Sequence, residues 1–226
     1  MLFDTHAHFD HRKFDADREA LLASLPEKNV SLLMNIGCDL SSSLKSVALS
    51  EQYPFIYCAV GSHPAAADSL TAQTLQMYRQ LAARPKVRAI GEIGLDYHMD
   101  YDDDIAPAPH NVQIDCMARQ LEHAVCRNVP VELHLRHEDT DQERTSHVDA
   151  YNVLREVGVP QAGCVLHCFG EDRATMERFV ELGCYIAYGG AATFKRNDDV
   201  REAFAATPLD RILFETDCPY MAPEPI

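Results

Sequence analysis

No apolar run in this 226-residue chain reaches the roughly 20 residues needed to cross a bilayer. The first residues carry none of the charged, apolar and cleavage regions of a secretory signal, and residues 1–3 lead straight into a candidate strand. The eight cysteines (38, 58, 116, 126, 164, 168, 184, 218) include no Cys-x-x-Cys pair and no disulfide-dense spacing. These absences predict a cytoplasmic protein with reduced thiols, several of them filling core positions, and no membrane contact. Basic residues are scarce, 20 Lys and Arg against 35 Asp and Glu, for a net charge of −15 at pH 7. That balance argues against broad, sequence-independent adhesion to nucleic acid. A phosphate-bearing substrate has to be drawn in locally, by metal ions and a few basic groups. No internal repeat or low-complexity linker divides the chain, and a content of 46% hydrophobic and 24% charged residues reads as one globular domain over residues 1–226.

What is present is a regular alternation. Apolar runs at about residues 1–10, 30–36, 55–60, 87–92, 131–135, 164–167, 184–188 and 211–217 predict eight strands. Between them, amphipathic stretches at about 13–25, 41–52, 71–84, 112–127, 147–157, 173–182 and 199–206 predict seven helices, the first and third stopped by Pro26 and Pro85. Strands and helices at this spacing predict parallel β-α units, and eight of them predict a closed (β/α)8 barrel. An open doubly wound sheet is the alternative, but no Gly-rich phosphate loop follows the first strand. The chain ends nine residues after Asp217, which leaves no room for an eighth helix over strands one and eight. Either the C-terminus is truncated or a second copy in a homo-oligomer covers that face.

In such a barrel the functional groups gather at the C-terminal ends of the strands. Those ends carry His6 and His8, His63, Glu92, His134, His167 and Asp217. His6 and His8, two apart on an extended strand, point to one side and look like half of a metal site. Singly, His134 or His167 reads as a hydrogen-bonded structural histidine, and Glu92 as the partner of an arginine. Together, four imidazoles and two carboxylates crowded on one rim require cations. The set suffices for two divalent ions, with Glu92 able to bridge them. Its nitrogen content favours zinc or manganese over calcium, with magnesium admitted where waters complete the shell.

The motifs Asp4-Thr-His6-Ala-His8-Phe-Asp10, Gly61-Ser-His63-Pro64, Gly91-Glu-Ile-Gly-Leu-Asp-Tyr97, Pro130-Val-Glu-Leu-His134-Leu-Arg136, Val165-Leu-His167-Cys-Phe-Gly170 and Glu215-Thr-Asp217-Cys-Pro-Tyr-Met-Ala-Pro223 run in order along the chain. In these the sequence resembles the TatD-type metal-dependent hydrolases, a deoxyribonuclease family of the amidohydrolase superfamily. The resemblance implies a first metal held by His6, His8, Glu92 and Asp217 and a second held by Glu92, His134 and His167. It also implies that Asp217 is the general base and that the reaction is hydrolysis of phosphodiester bonds at DNA ends, from the 3′ end. No lysine stands near Glu92, unlike branches that bridge their metals with a modified lysine.

Arg136, on the same strand face as His134, is a candidate for holding a substrate phosphate, and so are Lys195 and Arg196, although exposed loop cations are usually just solvated. His63 either touches substrate or braces its own loop. Cys168 and Cys218 read as wall residues. Asp100, Asp102, Asp103 and Asp104, with the segment 136–145, form acidic loops near the rim that would repel a long polyanion. Two other readings stay open: an amidohydrolase-like enzyme cutting an amide or ester in a small molecule, and a degenerate barrel that only binds.

Overall fold

The computed structural model describes residues 1–100 and 106–225. Eight strands, β1 (Leu2–Ala7), β2 (Val30–Ile36), β3 (Ile56–Val60), β4 (Val87–Asp96), β5 (Val131–Arg136), β6 (Cys164–Leu166), β7 (Tyr185–Tyr188) and β8 (Ile212–Phe214), run parallel in sequential order. The helices between them are α1 (Arg18–Ser24), α2 (Leu40–Gln52), α3 (Ala72–Leu81), α4 (His110–Arg127), α5 (Thr145–Val157), α6 (Arg173–Glu181) and α7 (Asp198–Ala206). This is the expected (β/α)8 arrangement rather than an open sheet, because β8 returns to lie beside β1.

Local chemistry sets several of the boundaries. Asp39 accepts from the Ser42 N–H at 2.7 Å and starts α2, and Asp172 accepts from the Thr175 N–H at 2.9 Å and starts α6. Asn128 ends α4 in the left-handed conformation (φ 50°). The first helix is shorter than its apolar pattern predicts. A 3-10 turn at Arg12–Phe14 precedes it, and Arg18 folds back to donate to the carbonyls of Phe9, Asp10 and His11. A continuous apolar core packs the helices against the barrel wall, with Ile90, Leu121, Leu133, Leu154, Phe179 and Ile186 among its buried members.

Barrel closure is unlike the other seams. Each of the seven consecutive strand pairs shares a ladder, whereas β1 and β8 are joined mainly above it. The Asp4 carboxylate accepts from the Thr216 N–H and hydroxyl at 3.0 and 2.8 Å, the Asp217 N–H donates to His6 O at 2.9 Å, and the His8 N–H donates to Cys218 O at 2.8 Å. Below this stitching Leu2 and Phe214 are each 59% exposed, and no helix follows β8 among the described residues. Strand β8 stops at Phe214 instead of running to Asp217, because the backbone leaves the ladder and reaches Asp217 with φ 54°.

Candidate metal centre

The strand ends carry the candidate residues to one place. His6 is fully buried in β1, and His8, just beyond it, brings its Nε2 to 3.0 Å from His6 Nε2. Asp217 reaches them from past β8, its Oδ1 at 3.4 Å from His8 Nε2 and 3.7 Å from His6 Nε2. Its left-handed backbone costs a non-glycine residue about 1 kcal/mol, and strain of this kind concentrates at functional sites. Glu92 lies in the middle of β4, His134 in β5, and His167 directly after β6. Close passage of β4 and β5 depends on Gly94 (φ 140°), where a Cβ would stand 2.0 Å from the His134 carbonyl oxygen.

Glu92 divides the cluster. Its Oε2 faces His6 Nε2 at 3.8 Å and His8 Nε2 at 3.9 Å, while its Oε1 faces His167 Nε2 at 2.7 Å and His134 Nδ1 at 3.1 Å. Two half-sites therefore share one carboxylate. His6, His8 and Glu92 are close enough to hold one ion between them.

Three of the four imidazoles have their other nitrogen hydrogen-bonded outside the cluster: His6 Nδ1 lies 2.7 Å from Glu132 Oε1, His8 Nδ1 3.1 Å from the Ile36 carbonyl, and His134 Nε2 3.0 Å from Asp96 Oδ2. His167 Nδ1 faces Glu215 Oε1 from 3.5 Å without a hydrogen bond. Such partners accept a hydrogen, which leaves the inward nitrogen free to present a lone pair. Four inward lone pairs around two carboxylates suit divalent cations of the zinc and manganese type.

Without a cation, protons have to fill the same space. Burial opposes charge on His134, yet Asp96 and Glu92 raise its pKa to about 9. His167 is likewise raised well above its ordinary value, burial being outweighed by Glu92 and Glu215. His8 is raised too, its burial outweighed by Asp217 and Cys38. Burial would raise Glu92, but the charge of His167 and the hydrogen bonds from His134 and His167 hold it well below the usual carboxylate range. Burial, reinforced by His167, lowers His6, and burial raises Glu132.

His63 braces its own loop, one of the two tasks weighed for it. Its Nδ1 accepts from the Ala65 N–H at 3.0 Å, bracing the turn after β3. The hydrogen therefore sits on Nε2, which points at Glu92 Oε1 from 3.9 Å. His63, Glu92 and His134 are close enough to form a third ligand set, but the Ala65 bond makes His63 Nε2 a donor rather than a ligand. Burial pushes its pKa down to about 4, so it stays neutral.

Residues 3–226 match the family model described as TatD related DNase. The chain belongs to the TatD-related DNase family. It is 33% identical over 225 residues to an uncharacterized metal-dependent hydrolase of Bacillus subtilis, covering all of this chain and 83% of that protein. It is 30% identical over 223 residues to the Escherichia coli protein named 3′-5′ ssDNA/RNA exonuclease TatD, covering 98% of this chain and 80% of the relative. Among solved structures, the TatD homologue YjjV of Escherichia coli superposes with a TM-score of 0.86 at 32% identity, covering 99% of this chain and 81% of the other.

Within this TatD-type barrel, Arg136 is exposed at the top of β5, and Lys195 and Arg196 are exposed on the loop after β7, away from any ion pair among the described residues. Of the expected acidic loop, Asp100 is exposed, and 102–104 lie outside the described residues. Cys168 and Cys218 flank ligands without replacing them. Cys38 does more than its sequence context indicates, since its Sγ lies 3.6 Å from Glu92 Oε2 and 3.7 Å from His8 Nδ1. All eight cysteines are free thiols. No helix among the described residues is long and apolar enough to cross a membrane. Glu132, Glu215 and Asp96, which face the imidazoles, carry no role in the sequence reading. The available signal is a carboxylate two residues before a ligand, at Glu132-Leu-His134, where both lie on one strand face, and at Glu215-Thr-Asp217.

Proposed function

We propose that the chain is a nuclease dependent on two divalent cations, cutting phosphodiester bonds at the ends of single-stranded DNA. His6, His8, Glu92 and Asp217 would hold one cation, and Glu92, His134 and His167 the second. The division of Glu92, one oxygen to each histidine pair, carries this reading. Zinc, manganese or magnesium ions bound there would supply Lewis acidity and neutralise the attacking and leaving oxygens of the transfer.

The protein's own groups do the rest. Asp217, at the mouth of the cluster, takes the proton of the attacking water and returns it to the leaving oxygen. Glu92 keeps the two half-sites in register. His63 directs its Nε2–H toward the space above Glu92, where it donates to a phosphate oxygen. Arg136, on the face of β5 that carries His134, holds a phosphate of the strand with its planar guanidinium. The choice of substrate draws on the activity named for the Escherichia coli relative, at 30% identity.

The test is incubation of metal-loaded protein with single-stranded DNA labelled at the 3′ end. Mononucleotide release by the native chain, lost in Asp217→Asn, is expected; equal release by both proteins would trace the activity to a contaminant. The net charge of −15 favours a second reading, a hydrolase of small esters or N-acyl compounds. That reading predicts turnover of such compounds with DNA left intact.

A further inference from the structure

We propose that Glu132 is a positioning residue that fixes His6 for cation binding and sets the affinity of the His6–His8 half-site separately from the His134–His167 half-site. The proposal rests on the reading of His6 as a cation ligand. Glu132 lies in β5 between the buried apolar residues Val131 and Leu133 and is only 3% exposed. A carboxyl group so placed costs several kcal/mol unless a partner satisfies it. Its hydrogen-bond partner is His6, at 2.7 Å across the barrel interior and 126 residues away in sequence.

The surrounding backbone makes room for this contact. Gly91 of β4 lies beside Glu132, and a Cβ there would come within 2.8 Å of the Glu132 Cβ, so a side chain at 91 would displace the carboxyl group. His6 has little freedom of its own. Its ring is fully buried and stacks on His167 with centroids 3.8 Å apart and planes at 10°. With Nδ1 against Glu132, the only nitrogen that His6 can offer a cation is Nε2, the atom facing His8, Asp217 and Glu92. Ligation through Nε2 puts the hydrogen on Nδ1 and makes Glu132 its acceptor, an arrangement that both orients the ring and increases its basicity. His134 is held by Asp96 and His167 faces Glu215 from 3.5 Å, so among the four imidazoles the hydrogen bond from Glu132 reaches His6 alone.

The test is titration of the metal-free full chain with Co2+ and Zn2+ against a competing chelator, following the visible absorption of cobalt at each half-site. Glu132→Leu should weaken binding at the His6–His8 half-site by about 10- to 100-fold and leave the other half-site unchanged. Glu132→Gln, which still accepts from Nδ1, should recover most of the loss. Native affinity at both half-sites in folded Glu132→Leu would overturn the proposal, and so would Glu132→Gln binding no better than Glu132→Leu. If the leucine variant fails to fold, nitrogen NMR of the zinc-loaded native protein decides. A hydrogen on His6 Nδ1 supports the proposal, and a hydrogen on Nε2 refutes it. Native protein that takes up no cation would sink the metal reading itself, a result distinguishable from failure of the Glu132 role.

Discussion

Competition between protons and cations gives the sharpest quantitative test of the centre. With its pKa at about 9, His134 is protonated in the empty protein throughout the neutral range, and His8 and His167 are raised as well. A cation binding through His134 Nδ1 has to displace that proton, so apparent affinity falls about tenfold for each pH unit below 9 through this residue alone. Moving from pH 6.5 to 8.5 should therefore tighten cation binding by about 100-fold, or about 2.7 kcal/mol, with His8 and His167 adding in the same direction. Stability of the empty protein runs the opposite way. A histidine whose folded pKa lies above its unfolded value of 6.5 contributes stability fully below pH 6.5 and loses it as pH rises through 9. For His134, one-fifth exposed, that contribution is at most about 3 kcal/mol. Calorimetric titration of Mn2+ in two buffers of different ionisation heat counts the released protons. Affinity independent of pH, with no proton release, would refute the assignment of these imidazoles as ligands.

Glu92→Gln removes the charge shared by the two half-sites and should reduce cation stoichiometry below that of the native protein, measured by elemental analysis after gel filtration. His63→Ala removes a donor without removing a ligand, so it should leave cation content intact while lowering kcat/KM on DNA about 10- to 100-fold, read in a steady-state nuclease assay. Gly94→Ala places a methyl group 2.0 Å from the His134 carbonyl at a φ of 140°, and should destabilise the fold by more than about 2 kcal/mol in urea unfolding. Saturation with cation at 100 times its Kd should raise the stability of the native chain by about 2.7 kcal/mol, seen as a higher Tm, and should do less for Asp217→Asn.

The barrel was legible because each β-α unit writes its own period into the chain. Apolar runs such as 30–36 and 131–135 and amphipathic stretches such as 112–127 recur, and the strand ends then follow from the fold. The six proposed ligands were legible because side chains two apart on a strand share a face and because the ends of barrel strands converge. The residues that face those ligands were not. Glu132 and Glu215 each stand two residues before a proposed ligand, but that spacing does not say which histidine a carboxylate there will face. Their partners, His6 and His167, are 126 and 48 residues away and become neighbours only when the barrel closes. His63 was half legible. Its place after β3 followed from sequence, whereas its role as a donor depends on which nitrogen the Ala65 N–H engages. The shortening of β8 also escaped: only Ile212–Phe214 of the expected 211–217 are apolar and in the strand, and the chain then bends to reach Asp217 with φ 54°.

The weakest seam of the barrel and the proposed chemistry occupy the same atoms. Strands β1 and β8 come from opposite ends of the given sequence and are held by the Thr5 hydroxyl on the Phe214 carbonyl, by the Asp4–Thr216 contacts and by two backbone bonds, Asp217 to His6 and His8 to Cys218. Three of the proposed ligands, His6, His8 and Asp217, are residues of those two bonds. A cation between them would tie the first strand to the last where the ladder is missing, so occupancy of the centre and integrity of the seam favour each other. Each piece has a partner outside the ligating atoms: Glu132 holds His6, Ile36 holds His8, and the left-handed turn at Asp217 is fixed by its own N–H on the His6 carbonyl. The centre is therefore preorganised from outside the ligand set, and a change in Glu132 or Thr216 should register at the cations before it registers in the remaining seven seams.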